Sequence, residues 1–142
     1  MEVNEIHSIL QDSFSEFKDM DPPPSALRIT PEQIEQNRVN WFLYVKYGKP
    51  VACVNWSVQS QYLTFSYLGV LPEFRRQGLG REVVHSIEKM ARDKHARRAC
   101  VYIRRSITAN IQFIESLGYS FYRPVDTSFQ YLIYGKSLEE PK

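Results

Sequence analysis

A mixed α/β (α+β) fold, with helices covering a mostly antiparallel sheet, is predicted by three features of the sequence. Apolar residues recur at helical spacing at the start, alternate like strands from about residue 41, and return to helical spacing after residue 72. Three strand-like segments follow one another before the first helical crossover, which favours hairpins over parallel β-α-β units. Aromatic residues make up 13% of the chain, as nine Tyr, eight Phe and two Trp, and these types suit the half-buried surface of a sheet. With 142 residues, 43% hydrophobic and 24% charged, residues 1–142 read as one globular domain with a single core.

Each element has a local reason. From Asn4 to Met20, apolar residues at Ile6, Ile9, Leu10, Phe14 and Phe17 are spaced by three or four and predict an amphipathic helix. The run Asp21-Pro22-Pro23-Pro24-Ser25 ends it as a loop, because proline cannot continue the helical ladder. Thr30-Pro31-Glu32-Gln33 starts a short helix to about Asn37, with Thr30 as N-cap and Pro31 in the first turn. Trp41 to Tyr47 is a strand, turned by Tyr47-Gly48-Lys49-Pro50. In the next strand Val54, Trp56 and Val58 alternate with Asn55, Ser57 and Gln59, so one face should be buried. After a turn at Gln59-Ser60-Gln61, Tyr62 to Val70 forms a third strand. Leu79, Val83, Ile87, Met90 and Ala91 make the apolar stripe of a long helix. A strand over 99–103 follows, then a helix from Asn110 to Leu117 ended by Gly118, and closing strands over 119–122 and 129–134.

Charge and cysteine usage narrow the function. Residues 1–37 hold eight acids and two bases, a net of −6, whereas residues 75–105 hold ten bases and three acids, a net of +7. Within a chain of net charge +2, this predicts an anionic ligand met locally rather than a polyanion footprint. Nucleic acid is excluded as a partner on the same ground, since no aromatic residues interleave the basic ones as a stacking platform. No apolar run approaches the ~18 residues of a membrane span, and Met1 leads into acidic and polar residues instead of a signal peptide. Cys53 and Cys100 lie in β-like runs and read as small buried thiols of a reduced, cytoplasmic protein. His7, His85 and His95 have no ligand-like neighbours, so no metal is expected.

The stretch from Leu68 to Glu82 carries the chemistry. A strand leads through an arginine-rich turn and two glycines into a helix, so uncovered N–H groups and the positive end of the helix dipole form an anion pocket. It is not a triphosphate loop, because Arg81-Glu82 rather than Lys-[Ser/Thr] follows Gly80. It is not the dinucleotide fingerprint, because Val83 stands where a third glycine is needed. What remains is R-x-x-G-x-G, from Arg75 to Gly80, preceded by Val70-Leu71-Pro72. This resembles the GNAT superfamily of acyl-CoA-dependent N-acyltransferases, whose motif V-x-P-x-x-[QR]-x-x-G-x-[GA] is matched by Val70, Pro72, Arg75, Gly78 and Gly80. Leu117-Gly118-Tyr119 matches a second family feature, L-G-[FY] between a helix and a strand.

The resemblance, over 41–134, implies the GNAT fold and acetyl transfer from acetyl-CoA, a co-substrate, to an amine. It implies that the main chain of Leu68, Gly69 and Val70 pairs with the pantetheine arm, and that Arg75, Arg76, Gln77, Gly78, Leu79, Gly80 and Arg81 hold the pyrophosphate. A plain alternative for Arg75 is a surface arginine capping a helix. The segment from Phe14 to Gln36 is implied to shape the acceptor pocket. Three side chains the family often uses are missing: a polar CoA contact is replaced by Ile107, a thiolate-protonating Tyr by Ile114, and a Glu base by about Ser66. No catalytic residue is therefore assigned, and Tyr67, Tyr102 and Tyr119 read first as packing residues. The acceptor is expected to be a small-molecule or peptide amine. The alternative is a module that binds acyl-CoA without turning it over. A homodimer through the closing strands is a reading by fold analogy alone.

Overall fold

The computed structural model describes residues 2–139. Among them, three helices precede three strands: α1 (Glu2–Ser13), α2 (Ser25–Arg28), α3 (Pro31–Gln36), β1 (Trp41–Lys46), β2 (Lys49–Gln59) and β3 (Tyr62–Val70). Then come α4 (Leu79–Asp93), β4 (Arg98–Arg104), α5 (Thr108–Ser116), β5 (Ser120–Pro124) and β6 (Tyr131–Ser137). The strands form a mostly antiparallel sheet in the order β1-β2-β3-β4-β6-β5, so the predicted fold class holds. The parallel pair is β3 with β4, joined by the crossover helix α4. Contacts divide the chain into two units: residues up to 56 with 67–84, and residues 57–66 with the chain from 85 onward.

Several boundaries differ from the sequence reading. The first helix stops at Ser13, not Met20. Ser15 Oγ donates to the Asp12 carbonyl at 3.0 Å, and Phe17 N–H reaches the Phe14 carbonyl at 2.9 Å, so the next turn tightens to a 3₁₀ form. The proline run is a loop as expected, but directly after it Ser25–Arg28 forms a further short helix, α2, that the spacing did not reveal. Thr30 is the predicted N-cap: its hydroxyl accepts from the Gln33 N–H at 3.2 Å, while Gln33 Oε1 accepts from the Thr30 N–H at 2.9 Å, a reciprocal capping box. The first hairpin turns on Tyr47 and Gly48, with φ of 55° and 75°, and Lys49 and Pro50 already belong to β2. Tyr44 faces Ala52 and Val45 faces Pro50, so a bulge absorbs the proline that cannot donate to the ladder. Val51 to Val54 are all fully buried, so this stretch of β2 is covered on both faces, not one.

The first unit packs Ile6, Ile9 and Leu10 of α1 with Ala26 of α2, Ile34 of α3 and Cys53 of β2, with Trp41 and Tyr67 partly buried against them. Both cysteines are free thiols. Burial pushes the Cys53 thiol up to about 12, while Cys100 is only half-buried.

In the second unit, Gly118 (φ 93°) closes α5 as expected. Its N–H bonds the Glu115 carbonyl at 3.0 Å and the Tyr119 N–H bonds the Ile114 carbonyl at 3.3 Å, the paired bonds of a Schellman end. The last strand starts at Tyr131 instead of residue 129, because Asp126 Oδ1 accepts from both the N–H and the hydroxyl of Ser128 and holds a turn there.

The same unit buries a charge that sequence spacing did not single out. Glu88 is 1% exposed on the inner face of α4. Its carboxylate accepts a 2.6 Å hydrogen bond from the Tyr119 hydroxyl and pairs with Lys136 Nζ at 3.2 Å. Lys136 also lies 5.4 Å from the Tyr119 ring centroid, and Phe65 packs edge-on against that ring. Desolvation, then the bond to Glu88, pushes the Tyr119 phenol far above its ordinary range, so it stays a donor at all working pH. Removing one partner of such a group strands the others. Glu88→Ala is therefore expected to cost about 3–5 kcal/mol and Tyr119→Phe about 1–3 kcal/mol. In urea unfolding the double variant should fall short of their sum, because the two side chains share one network.

Candidate active site

The end of β3 and the start of α4 are shaped by main-chain geometry. Pro72–Phe74 forms a single 3₁₀ turn, and the Arg75 N–H bonds the Pro72 carbonyl at 3.3 Å. Arg76 (φ 64°) and Gly78 (φ 78°) then take left-handed conformations before α4 begins at Leu79. A Cβ on Gly78 would meet nothing within 4 Å, so glycine is there for its backbone freedom and not for lack of space. Leu79 is buried and pins the helix start, whereas Arg76, Gln77, Gly78 and Arg81 are exposed and Gly80 is half-buried. The next main-chain N–H in this stretch with a main-chain acceptor belongs to Glu82, on the Gly78 carbonyl at 3.0 Å. Among the described residues, the N–H groups from Arg76 to Arg81 have no such acceptor, as the first turn of a helix requires.

Glu82, in that first turn, is tied back to β1. Lys46 Nζ donates to its two oxygens at 2.9 and 3.0 Å, and the Tyr44 hydroxyl donates at 3.2 Å. The hydrogen bond from Lys46, chiefly, lowers the Glu82 carboxyl below its ordinary range.

Arg75 is placed where the plain alternative put it. Its guanidinium donates to the Ser13 carbonyl at the end of α1 and pairs with Glu16 at 2.8 Å. The side chain thus satisfies a helix-end carbonyl, a favourable place for a cation.

The end of β3 carries a conformational outlier. The parallel ladder with β4 runs from Tyr62 to Phe65 and stops. At Tyr67 the backbone turns left-handed, with φ 57°, which for an aromatic residue costs of order 1–3 kcal/mol and marks functional sites more often than ordinary strands. The Tyr67 ring stacks on Trp41 at 5.7 Å and 27°, and its carbonyl faces the Cys53 thiol. Leu68 and Val70 follow half-buried. Gly69 is buried so close to α1 that an added Cβ would lie 3.0 Å from Ser13 Oγ.

Beside Tyr67 the first unit holds an open pocket of about 470 Å³. Its floor is Trp41, Asn55 and Tyr67, and its rim is Ser25 and Arg28 of α2 with Gln33 and Gln36 of α3. The rim thus comes from the segment expected to shape the acceptor pocket. Sequence reasoning missed Arg28, Trp41 and Asn55, and no local pattern announces them. By contrast Ile107 and Ile114, at the positions where the resemblance implies a polar contact and an acid, are 5% and 3% exposed and belong to the apolar core of the second unit. His85 and Tyr102 are exposed, and Tyr119 serves Glu88. Among the described residues, no cluster of His, Cys, Asp or Glu is placed to hold a metal ion. No described helix is long and apolar enough to cross a membrane.

Comparison with known proteins agrees with this geometry. The family profile of the acetyltransferase (GNAT) family matches residues 3–119. The chain belongs to the GNAT acetyltransferase family. Membership makes it an acyl-CoA-dependent acetyltransferase by class. Among curated proteins no sequence matches. Solved structures share the fold at low identity. The PaiA N-acetyltransferase of Thermoplasma acidophilum, in complex with coenzyme A, is 13% identical with a TM-score of 0.83, over 96% of this chain and 92% of that one. The ribosomal-protein-S18-alanine N-acetyltransferase of Escherichia coli is 19% identical with a TM-score of 0.67, over 94% and 90%. A GNAT acetyltransferase of Elizabethkingia anophelis with acetyl-CoA bound is 12% identical with a TM-score of 0.64, over 76% and 83%.

Two outcomes separate main-chain from side-chain roles in this GNAT loop. Gly78→Ala forces a Cβ into a left-handed backbone at about 1–2 kcal/mol and should weaken CoA binding at least tenfold by calorimetry. Arg75→Ala should lower thermal stability by loosening the end of α1, while CoA affinity changes less than for Gly78→Ala. A third outcome concerns pH. Because the Glu82 carboxyl is lowered in the folded state, its tie to Lys46 is fully present above the ordinary carboxylate value near 4.5 and is lost as pH falls through the lowered value. NMR titration of the Glu82 carboxyl should show its midpoint below that value.

Proposed function

We propose that this chain, with residues 1–142 acting as one N-acetyltransferase domain, moves an acetyl group from acetyl-CoA to a primary amine by direct attack in a ternary complex. The observation that carries this reading is the run of N–H groups from Arg76 to Arg81 without acceptors, at the entry to α4 of a GNAT family member. These N–H groups, with the helix dipole, suit a pyrophosphate. Leu68, Gly69 and Val70 would offer main-chain partners to the pantetheine arm. The pocket floored by Trp41 and Tyr67 would receive the acceptor.

In the reaction the neutral amine attacks the thioester carbonyl, and the Val70 N–H supports the developing oxyanion. The C–N bond forms, the C–S bond breaks, and the proton lost by nitrogen ends on the CoA sulfur. A thiol pKa of about 8.5 lets the thiolate leave without a dedicated acid. Losing an acid costs roughly 10²–10⁴-fold, whereas holding amine and thioester together is worth effective molarities of about 10⁵–10⁸ M. The two free cysteines suit a reducing, cytoplasmic setting.

A second reading is favoured by the burial of Ile107 and Ile114: a module that binds acyl-CoA and does not turn it over. Thermal unfolding with millimolar acetyl-CoA, CoA and ATP tests the shared premise. Both CoA forms, at about 100 times Kd, should add roughly 2.7 kcal/mol, and ATP should not. Mass spectrometry on amino acids, peptides, polyamines and aminoglycosides then separates the readings. A CoA shift with no acetylated product selects the module, and no CoA shift sinks both.

A further inference from the structure

The pocket beside Tyr67 has an excess of hydrogen-bond donors. Among the described residues that line it, Arg28 is the only charged one and none is a carboxylate. The Arg28 Nε is committed to the Pro23 carbonyl at 3.2 Å, which anchors the guanidinium and leaves its two terminal nitrogens without a partner among the described residues. Gln33 is polarised the same way. Its Oε1 is held by the Thr30 N–H, and a donor on that side fixes the amide orientation, so the NH₂ end is left available. Trp41 also lines the pocket, while its indole N–H is buried and has no acceptor among the described residues. Two walls of the pocket, from α2 and α3, therefore present donors, with no carboxylate among the described lining residues to meet them.

We infer that the acceptor carries a carboxylate as well as its amine, making it a small amino-carboxylate of amino-acid size, with Arg28 as the residue that selects it. This rests on the reading of the pocket as the acceptor site. A guanidinium fork matches a carboxylate with two parallel hydrogen bonds. A phosphate monoester fits less well, because its charge of about −1.5 to −2 would meet a single cation. Polyamines fit worst, since a pocket without a carboxylate gives their ammonium groups no counter-charge. The volume of about 470 Å³ suits a small molecule, and the stacked Trp41–Tyr67 pair supplies an apolar floor for its side chain.

The test uses the full chain and needs no turnover. The indole N–H resonance of Trp41, assigned with a Trp56→Phe variant, is followed by NMR while protein amino acids, their carboxamides and spermidine are titrated in, with and without CoA. Carboxylates should shift the resonance at concentrations at least about tenfold below those of the matching carboxamides. Arg28→Gln should abolish that preference, with acetyl-CoA affinity and folded stability unchanged. Equal binding of acid and carboxamide, tighter binding of spermidine, no shift with any carboxylate, or a preference that survives Arg28→Gln each overturns the inference. The parallel acetylation assay keeps the two readings apart. Carboxylate binding without product from any amine retires the transferase reading and leaves the anion site standing. Equal acetylation of amino acids and their carboxamides does the reverse.

Discussion

Main-chain N–H groups that have no main-chain partner among the described residues are the constraint on which the proposed site depends. A helix cannot satisfy the donors of its own first turn, and here the chain extends that shortage backwards, from Arg81 to Arg76, by placing Arg76 and Gly78 in left-handed conformations. Keeping such donors uncovered requires that everything near them be held still. The 3₁₀ turn at Pro72–Phe74 stops β3, buried Leu79 fixes the start of α4, and the bonds from Lys46 and Tyr44 to Glu82 lock the first helical turn to β1. Glu82 would otherwise be an anion beside an anion pocket, and Lys46 offsets it. With Arg75 engaged at the end of α1, the proposed recognition rests chiefly on the backbone.

The proposed backbone-built donor site would account for transfer without the acid and base that the family resemblance leads one to expect. Main-chain groups of the proposed site would position a thioester whatever the side chains are, and positioning is the larger part of the rate. Ile107 and Ile114 both fill the core of the second unit, where a polar group without a partner would cost stability. The same unit spends Glu88, the one deeply buried carboxylate among its described residues, on Tyr119 and Lys136.

Part of the basic middle of the chain is engaged locally. Arg75 joins Ser13 and Glu16, Arg92 donates to the Leu138 carbonyl, and Arg97 pairs with Glu139. The acidic N-terminal segment behaves differently from its net charge: the part of it that rims the pocket contributes Arg28 and two glutamines, not its acids.

Much of this was legible in the chain alone, because it rests on short-range physics. The switch between helical and strand periods located nearly every element, the Thr30 capping box and the Gly118 helix end are local hydrogen-bond patterns, and Gly78 and Gly80 after Val70 and Pro72 identified the loop and the family. What the sequence could not decide depends on groups far apart in it. The stop of α1 at Ser13 and the employment of Arg75 there join residues some sixty positions apart. The double burial of β2 follows from its place inside the sheet, not from its alternation. The strain at Tyr67, the burial of Glu88 and the pocket of Arg28, Trp41 and Asn55 leave no local pattern, because periodicity reports one residue's face and not which distant side chains share a cavity with it. Sequence determined the scaffold and the glycine-containing loop before α4 through local propensity and backbone freedom, and tertiary structure alone decided which distant side chains share the pocket beside Tyr67.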